Sequence, residues 1–451
     1  MLKLSGMAAV AASLPAACVP GIAQALAKAE YKLEIGPVTW ELGPRRTIKT
    51  TAYNGQIPGP LLRFREGQPV TVEVVNRTES EDVIHFHGLF LPSAIDGAME
   101  EGTPMIAAGA SARYTFTPRP AGFRWYHTHT MAMGNLTLAQ YGGQHGLMMV
   151  EAGNDSGAYD AEFFLALHDW AGHLLASDDG AMNPTYDVTT INGKMMGAGE
   201  PLRVKQGQRV LLHVLNSSPT EVHWVSLAGH TLRVIALDGN TIPSPQAVPM
   251  LRLAPAERVC VVVEMNNPGV WVLGEVRKHV QATGMGIVVE YANATGAPKW
   301  IQPEELVWDY GQFADGSGAG AASASGNGEA IEIPLTFEAK FEGHGSEERW
   351  TINGKSYPDT ESPVLTEGKR YRLVMKNPSL DDHPIHLHRH TFEVTNVGGA
   401  AMRGLMKDVL LIPAKSTSVV EFTANNPGNT LFHCHQQGHM DRGFMMVFRY
   451  A

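Results

Sequence analysis

Cysteine is almost missing from this 451-residue chain, which has only Cys18, Cys260 and Cys434. Three thiols so far apart make no disulfide framework, so an ordinary buried core must hold the fold, and the cysteine count names no compartment. Positive charge is also in short supply. Lys and Arg number 35 against 45 Asp and Glu, a net charge of -10, which argues against nucleic acid or an anionic membrane surface as a partner. No apolar run is long enough to span a bilayer. Charged residues make up 18% and hydrophobic ones 44%, the balance of a globular protein with ample core and length for about two to four domains.

The N-terminus predicts export. Met1-Leu2-Lys3-Leu4-Ser5-Gly6 leads into an Ala-rich apolar stretch and then Ala23-Gln24-Ala25, a short apolar region with a small-residue cleavage pattern. The expected segment is 1–27, and it resembles the latter half of a twin-arginine signal without the arginine pair. An N-terminal amphipathic helix is the other reading. Cys18 leaves with this segment if it is cleaved. Cys260, in Val259-Cys260-Val261-Val262-Val263, reads as a buried inert thiol.

What the chain does have is clustered histidine. His85-Phe86-His87, His127-Thr128-His129, His383-Pro384-Ile385-His386-Leu387-His388 and His433-Cys434-His435 with His439 hold ten of the 19 histidines. On a strand, alternate side chains face opposite ways, so His433 and His435 look to one side and Cys434 to the other. One strand can then serve two metal centres. A thiolate with two imidazoles is the ligand set of a blue-copper electron-transfer site, and imidazole-only ligation suits further coppers. The other nine histidines (His145, His168, His173, His213, His223, His230, His279, His344 and His390) read as structural or surface groups. The 20 methionines, with pairs such as Met131/Met133, read chiefly as core filling.

A repeat organises the clusters. Asn54-Gly55 to Asn76, Asn192-Gly193 to Asn216 and Asn353-Gly354 to Asn377 share a template, with Gly67, Gly207 and Gly368 each nine residues before the closing Asn. The residues between alternate as strands do. A second repeat follows at Pro120-Ala121-Gly122, Pro268-Gly269 and Pro427-Gly428. Short strands with Gly and Pro turns predict an all-β protein of antiparallel sandwiches or barrels. Nine and eleven residues past the closing Asn lie His85 and His87, then Val225 and Leu227, then His386 and His388. Five past the turn glycine lie His127, Gly274 and His433. The outer copies therefore carry metal, and the middle copy is a metal-free spacer. The expected division is domain one 28–152, domain two 153–313, a Gly/Ala/Ser-rich link 314–328 and domain three 329–451.

Order, spacing and domain placement of the four clusters resemble the copper-binding motifs of three-domain multicopper oxidases, the laccase family, over nearly the whole mature chain. The resemblance implies three consecutive cupredoxin-like Greek-key β-sandwich domains and four coppers. His383, Cys434 and His439 would bind type 1 copper, and His85 and His386 type 2. His87, His127, His129, His388, His433 and His435 would bind the type 3 pair. Cys434 would pass electrons to its neighbours His433 and His435, and Asp96, nine residues after His87, would serve oxygen reduction as a proton relay. Asp96 also reads as an Asp-Gly turn residue, and Asp441 as a surface or turn residue. Two positions depart from the family pattern. Phe444 stands where an axial ligand can occur, so the type 1 copper is expected to be three-coordinate with a comparatively high potential; a strand bulge would be needed to bring Met445 there. Arg389 stands where the family usually has Gly.

The implied activity is laccase-like, with phenols or aromatic amines oxidised one electron at a time and dioxygen reduced to water. A metallo-oxidase for Cu(I), Fe(II) or Mn(II) is the alternative, although no dense Met-rich insert accompanies it. A non-catalytic cupredoxin scaffold would lack ligands, and none is missing. The same count excludes a copper nitrite reductase. No membrane insertion is expected, and one chain suffices without an oligomer.

Overall fold

The repeated asparagines are where the sequence becomes architecture. Asn54, Asn192 and Asn353 all take φ of 52–53°, a left-handed conformation that Asn tolerates. Each side-chain oxygen accepts a backbone N–H from a strand (Glu34, Ala166, Thr336), and each amide donates to the carbonyl two residues earlier (Lys32, Phe164, Pro334). Asn76, Asn216 and Asn377 are equally alike. Their side chains close a loop by bonding the carbonyl four residues on (five for Asn216) and the N–H two residues on. These bonds fix how one strand hands over to the next in every copy.

The structure, a computed structural model, describes residues 29–153, 159–176, 182–315, 330–341 and 348–451. The expected export segment, Cys18, His344 and residues 316–328 of the expected link lie outside them. Ala314 and Asp315, at the start of that link, are anchored: Ala314 is buried and Asp315 pairs with Arg403. Among the described residues, no helix is long and apolar enough to cross a membrane.

Three pairs of sheets follow one another along the chain. The first pair has four strands in each sheet, and the second and third pairs have six and five. Strand order is repeated. The six-stranded sheets run Met182–Ile191, Ala161–Ala176, Arg209–Asn216, Arg258–Glu264, Leu232–Leu237, Asn240–Val248 in the second copy, and Glu348–Ile352, Ile331–Phe341, Arg370–Asn377, Ser416–Thr423, Phe392–Val397, Ala400–Lys407 in the third. Their crossovers are those expected of cupredoxin-like sandwiches. Alternating residues such as Val70, Val72 and Val74 fill the first core. Val225 and Leu227, at the ligand positions of the middle copy, are buried aliphatic core.

The strands that carry the clusters pair in equivalent registers. Ile84–His87 lies against Gly122–Thr128 with His85 opposite His127. His383–Leu387 lies against Thr430–Cys434 with His386 opposite His433 and Ile385 opposite Cys434. The two hairpin-like units meet face to face, one from each outer domain.

Candidate metal centres

Eight imidazoles converge where the first and third domains meet. His85 stacks on His388 with centroids 4.0 Å apart, and His87 on His386 at 3.8 Å, so the first histidine of each His-x-His covers the second of the other. His127, His129, His433 and His435 close the group, with His129 and His433 centroids at 5.2 Å and His127 and His435 at 5.3 Å. All eight are buried. Burial pushes His87, His127, His129, His388, His433 and His435 well below the usual imidazole range, and neighbouring imidazoles add to the effect. His386 falls to about 4 for the same first reason, although Asp408 acts against it. These rings are neutral, as ligands must be.

Six of the eight are aimed by a bond on the far side of the ring. Nδ1 donates to the Asp96 carbonyl from His85 (2.8 Å), to Thr128 from His127 (2.7 Å), to Asp408 from His386 (2.7 Å) and to Cys434 from His433 (2.9 Å). His388 Nδ1 donates to Asp96 Oδ2 at 2.9 Å, and His87 Nε2 to Asp408 Oδ1 at 3.2 Å. Such partners fix the tautomer and leave the other nitrogen as a lone-pair donor. His85 Nε2, His87 Nδ1, His127 Nε2 and His386 Nε2 are buried without a hydrogen-bond partner, as are both nitrogens of His129 and His435. His388 Nε2 faces His433 Nε2 at 3.1 Å. With both Nδ1 atoms donating, these are two facing lone pairs, which a shared cation makes favourable. The donor set therefore fits copper.

A second, smaller group lies on the other face of Thr430–Cys434. Cys434 Sγ is 3.9 Å from His383 Nδ1 and 3.7 Å from His439 Nδ1. Burial lowers His383 to about 3, holds His439 well below the usual imidazole range, and raises the Cys434 thiol. A bound metal would remove that thiol proton. His383 is oriented through Nε2 by Ser379 Oγ at 2.9 Å. Phe444 packs at 5.0 Å from the His383 ring and offers no donor atom. Met445 is turned away into a separate cluster with Ala98, Leu431, Met440 and Val447. No bulge interrupts the pairing of Thr430–Cys434 with Met445–Tyr450, where Met445 stands opposite His433.

Several groups at these sites carry no local sequence signal. Glu101 is buried beside Asp96, its Oε1 accepting from Leu431 N at 2.6 Å and lying 3.6 Å from His388 Nδ1. Burial and then the Asp96 charge push Glu101 far above the usual carboxyl range, and Glu101 Oε2 and Asp96 Oδ1 are buried without a hydrogen-bond partner. Gly97 permits this arrangement. At φ 109°, a Cβ there would sit 2.0 Å from the Ile84 carbonyl oxygen. Trp350 packs against both His383 (4.6 Å) and His439 (4.4 Å). Asp408 is held by Arg258 through two bonds of 2.6 Å and by Arg124 at 3.3 Å. Arg258 also reaches Asp238, which takes Lys407 at 3.0 Å. This buried charge network joins all three domains directly behind His87 and His386.

Arg389 adds no charge to the histidine cluster. It takes φ 61°, turns away and gives its guanidinium hydrogens to Leu91, Asn426, Pro427 and Asn429 carbonyls and Thr430 Oγ1. Asp441 is not a free surface group either. Its carboxylate accepts from Ala132 N (3.1 Å), Met133 N (2.9 Å) and Gln437 Nε2 (2.7 Å). These bonds tie the 131–138 loop of domain one beside His439. A cavity of about 310 Å³ opens there, lined by Met133, Leu136, Tyr141, Leu174, Pro184 and His439 among others.

Comparison with known proteins agrees with this geometry. Three family models described as multicopper oxidase match residues 34–155, 162–292 and 332–451, most of the chain. The multicopper oxidase MmcO of Mycobacterium tuberculosis is 28% identical over 88% of this chain and 82% of its own length. A laccase of Pycnoporus cinnabarinus is 26% identical over 88% and 85%. The crystal structure of a multi-copper oxidase from Pseudomonas thermotolerans is 26% identical, covers 93% of this chain and 98% of that one, and superposes with a TM-score of 0.72. The chain belongs to the multicopper oxidase family, oxygen-using oxidoreductases that carry one type 1, one type 2 and two type 3 coppers.

Proposed function

We propose that this oxidase is laccase-like, taking electrons from single-ring phenols or aromatic amines at the His439 edge and delivering them to dioxygen. The observation that carries the reading is the cavity beside His439. Its volume of about 310 Å³ is at the small end of ligand pockets, and its walls mix Leu136, Tyr141, Leu174 and Pro184 with Thr220, Gln436, Asp441 and Arg442, which suits a ring bearing a hydroxyl or amine. His383, Cys434 and His439 are assigned to type 1 copper, His85 and His386 to type 2, and the other six clustered histidines to the type 3 pair. Bound copper supplies the one-electron couples and the reduction of dioxygen.

The chain's own residues do the rest. Cys434 joins the two groups through its backbone, and the His433 Nδ1–H bond to the Cys434 carbonyl shortens that path. Water formation consumes protons. Burial and the Asp96 charge raise the Glu101 carboxyl and Asp96 Oδ2 orients His388, so the Asp96–Glu101 pair is assigned to proton delivery. The three sandwiches take the division 28–152, 153–313 and 329–451, and one chain supplies every ligand. Export through the 1–27 segment is part of the same reading.

A metallo-oxidase remains the second reading because of Met133, a residue 73% exposed that lines the cavity. Steady-state oxygen uptake by the copper-loaded protein with 2,6-dimethoxyphenol, Cu(I) and Fe(II) in turn separates them. Fast phenol turnover with weak metal response is expected. Strong metal oxidation, with phenol activity only on added copper, would overturn the laccase-like assignment. No uptake with any donor would remove the enzymatic reading.

A further inference from the structure

Domain two carries no copper ligand, yet it holds a nucleophile, a base and an acid in series. Arg209–Asn216 and Arg258–Glu264 are antiparallel neighbours with His213 directly opposite Cys260. Ala161–Ala176 runs parallel on the other side, with Glu162 opposite Leu211. This register places three side chains in one line. His213 Nδ1 is 3.1 Å from Cys260 Sγ, and His213 Nε2 is 2.9 Å from Glu162 Oε1. The imidazole is stacked on Phe164 at 4.5 Å and edged by Phe123 at 5.1 Å, so it has little freedom to swing out of line. Glu162 is also bonded by Arg63, and both line a groove of about 620 Å³ with Tyr159 and Asp160.

A thiol, a base in hydrogen-bond reach and a third group orienting the base form the arrangement that activates a sulfur nucleophile. Since His213 Nε2–H donates to Glu162, Nδ1 is left to accept the thiol proton. Transfer puts a thiolate beside an imidazolium that Glu162 stabilises. The surroundings favour that charge pattern. Burial alone would lower His213, but the Cys260 and Glu162 charges outweigh it and bring it up to about 9.

We propose that Cys260 is a reactive thiol that takes hydrogen peroxide as its substrate, with His213 as its base and Glu162 as the positioning carboxylate. In that step the thiolate sulfur attacks one peroxide oxygen, and the S–O bond forms as the O–O bond breaks. Sulfur is oxidised by two electrons to the sulfenic acid. The departing hydroxide takes the His213 proton and leaves as water. Cys260 is 4% exposed, which suits a small neutral oxidant rather than a bulky electrophile.

The test uses the copper-loaded protein, in which Cys434 is a ligand. It is exposed to dilute hydrogen peroxide while folded, quenched with catalase at timed intervals, then unfolded into dimedone and mapped by peptide mass spectrometry. The dimedone adduct is expected at Cys260. His213→Gln should slow its formation about tenfold or more at pH 7, since an unassisted thiol with a pKa of about 8.5 is only a few per cent thiolate there. Glu162→Gln, at the groove rim, should slow it less, and intact blue absorption certifies the fold of each variant. Oxidation only when peroxide is added to the already unfolded protein, or parent rates in folded His213→Gln and Glu162→Gln, would overturn the proposal. If His213→Gln does not fold, Glu162→Gln decides.

Discussion

Replacing Asp408 by Ala should separate the two copper groups. Its carboxylate is bound by both terminal nitrogens of Arg258 at 2.6 Å and by Arg124 at 3.3 Å, and it accepts from His87 Nε2 at 3.2 Å. Burial alone would push this carboxyl up, but the Arg258 charge and bonds hold it below the usual range, so it is an anion. Removing one partner of a buried pair leaves the other uncompensated, at a cost of about 3–5 kcal/mol. Arg258 retains the Ala256 and Asp238 carbonyls and Asp238 Oδ1 at 3.6 Å, which argues for the lower half of that range. His87 also loses the partner that aims it, which typically weakens metal binding or activity about 10–100-fold. His383, Cys434 and His439 do not touch Asp408. The assay is paired: denaturant midpoints of copper-free protein, and copper content with visible and EPR spectra of loaded protein. Asp408→Ala should unfold earlier and lose trinuclear copper while keeping blue absorption. The double change Arg258→Met with Asp408→Leu should recover part of the stability and little of the copper. A single variant within about 1 kcal/mol of the parent, with full copper and activity, would refute the reasoning.

Three further outcomes are expected. Phe444→Met places a thioether near the type 1 ligands, so redox titration should give a lower potential and phenol oxidation should slow. Arg389→Gly relieves a left-handed backbone strain of about 1–3 kcal/mol but strands several buried carbonyls at about 1–3 kcal/mol each, so thermal unfolding should show net destabilisation. His223 is buried between Asp169 at 3.0 Å and Glu275 at 3.1 Å. Burial alone would lower it, but the Asp169 and Glu275 partners raise it to about 10. Its folded value is above the unfolded one of about 6.5, so its stabilisation is full below that pH and is lost as pH rises towards 10. Unfolding followed from pH 6 to pH 10 should show that loss, and His223→Gln should flatten it.

The histidine clusters were legible because strand alternation and repeat spacing are local. His85 and His87 sit nine and eleven residues past an asparagine whose side-chain bonds fix that distance, and the same holds for His386 and His388. The aliphatic middle copy was legible for the same reason. What escaped was assembled from distant parts of the chain. Asp408 joins Arg124 and Arg258 across three domains, and nothing around Lys407-Asp408-Val409 signals it. Glu101 matters only because the Thr430–Cys434 strand passes over it. Trp350 stands in an ordinary strand pattern. Arg389 was visible as a departure, but its direction depended on a left-handed backbone that turns the side chain into a carbonyl cage. Asp441 was read as a surface group because the loop it binds lies more than 300 residues earlier.

The most direct test is the stoichiometry of oxygen uptake by the copper-loaded protein with a single-ring phenol, followed by catalase. Four one-electron oxidations per dioxygen, with no oxygen returned by catalase, is the expected result. Two oxidations per dioxygen with oxygen returned would mean that peroxide is released, contradicting a site that carries dioxygen through to water.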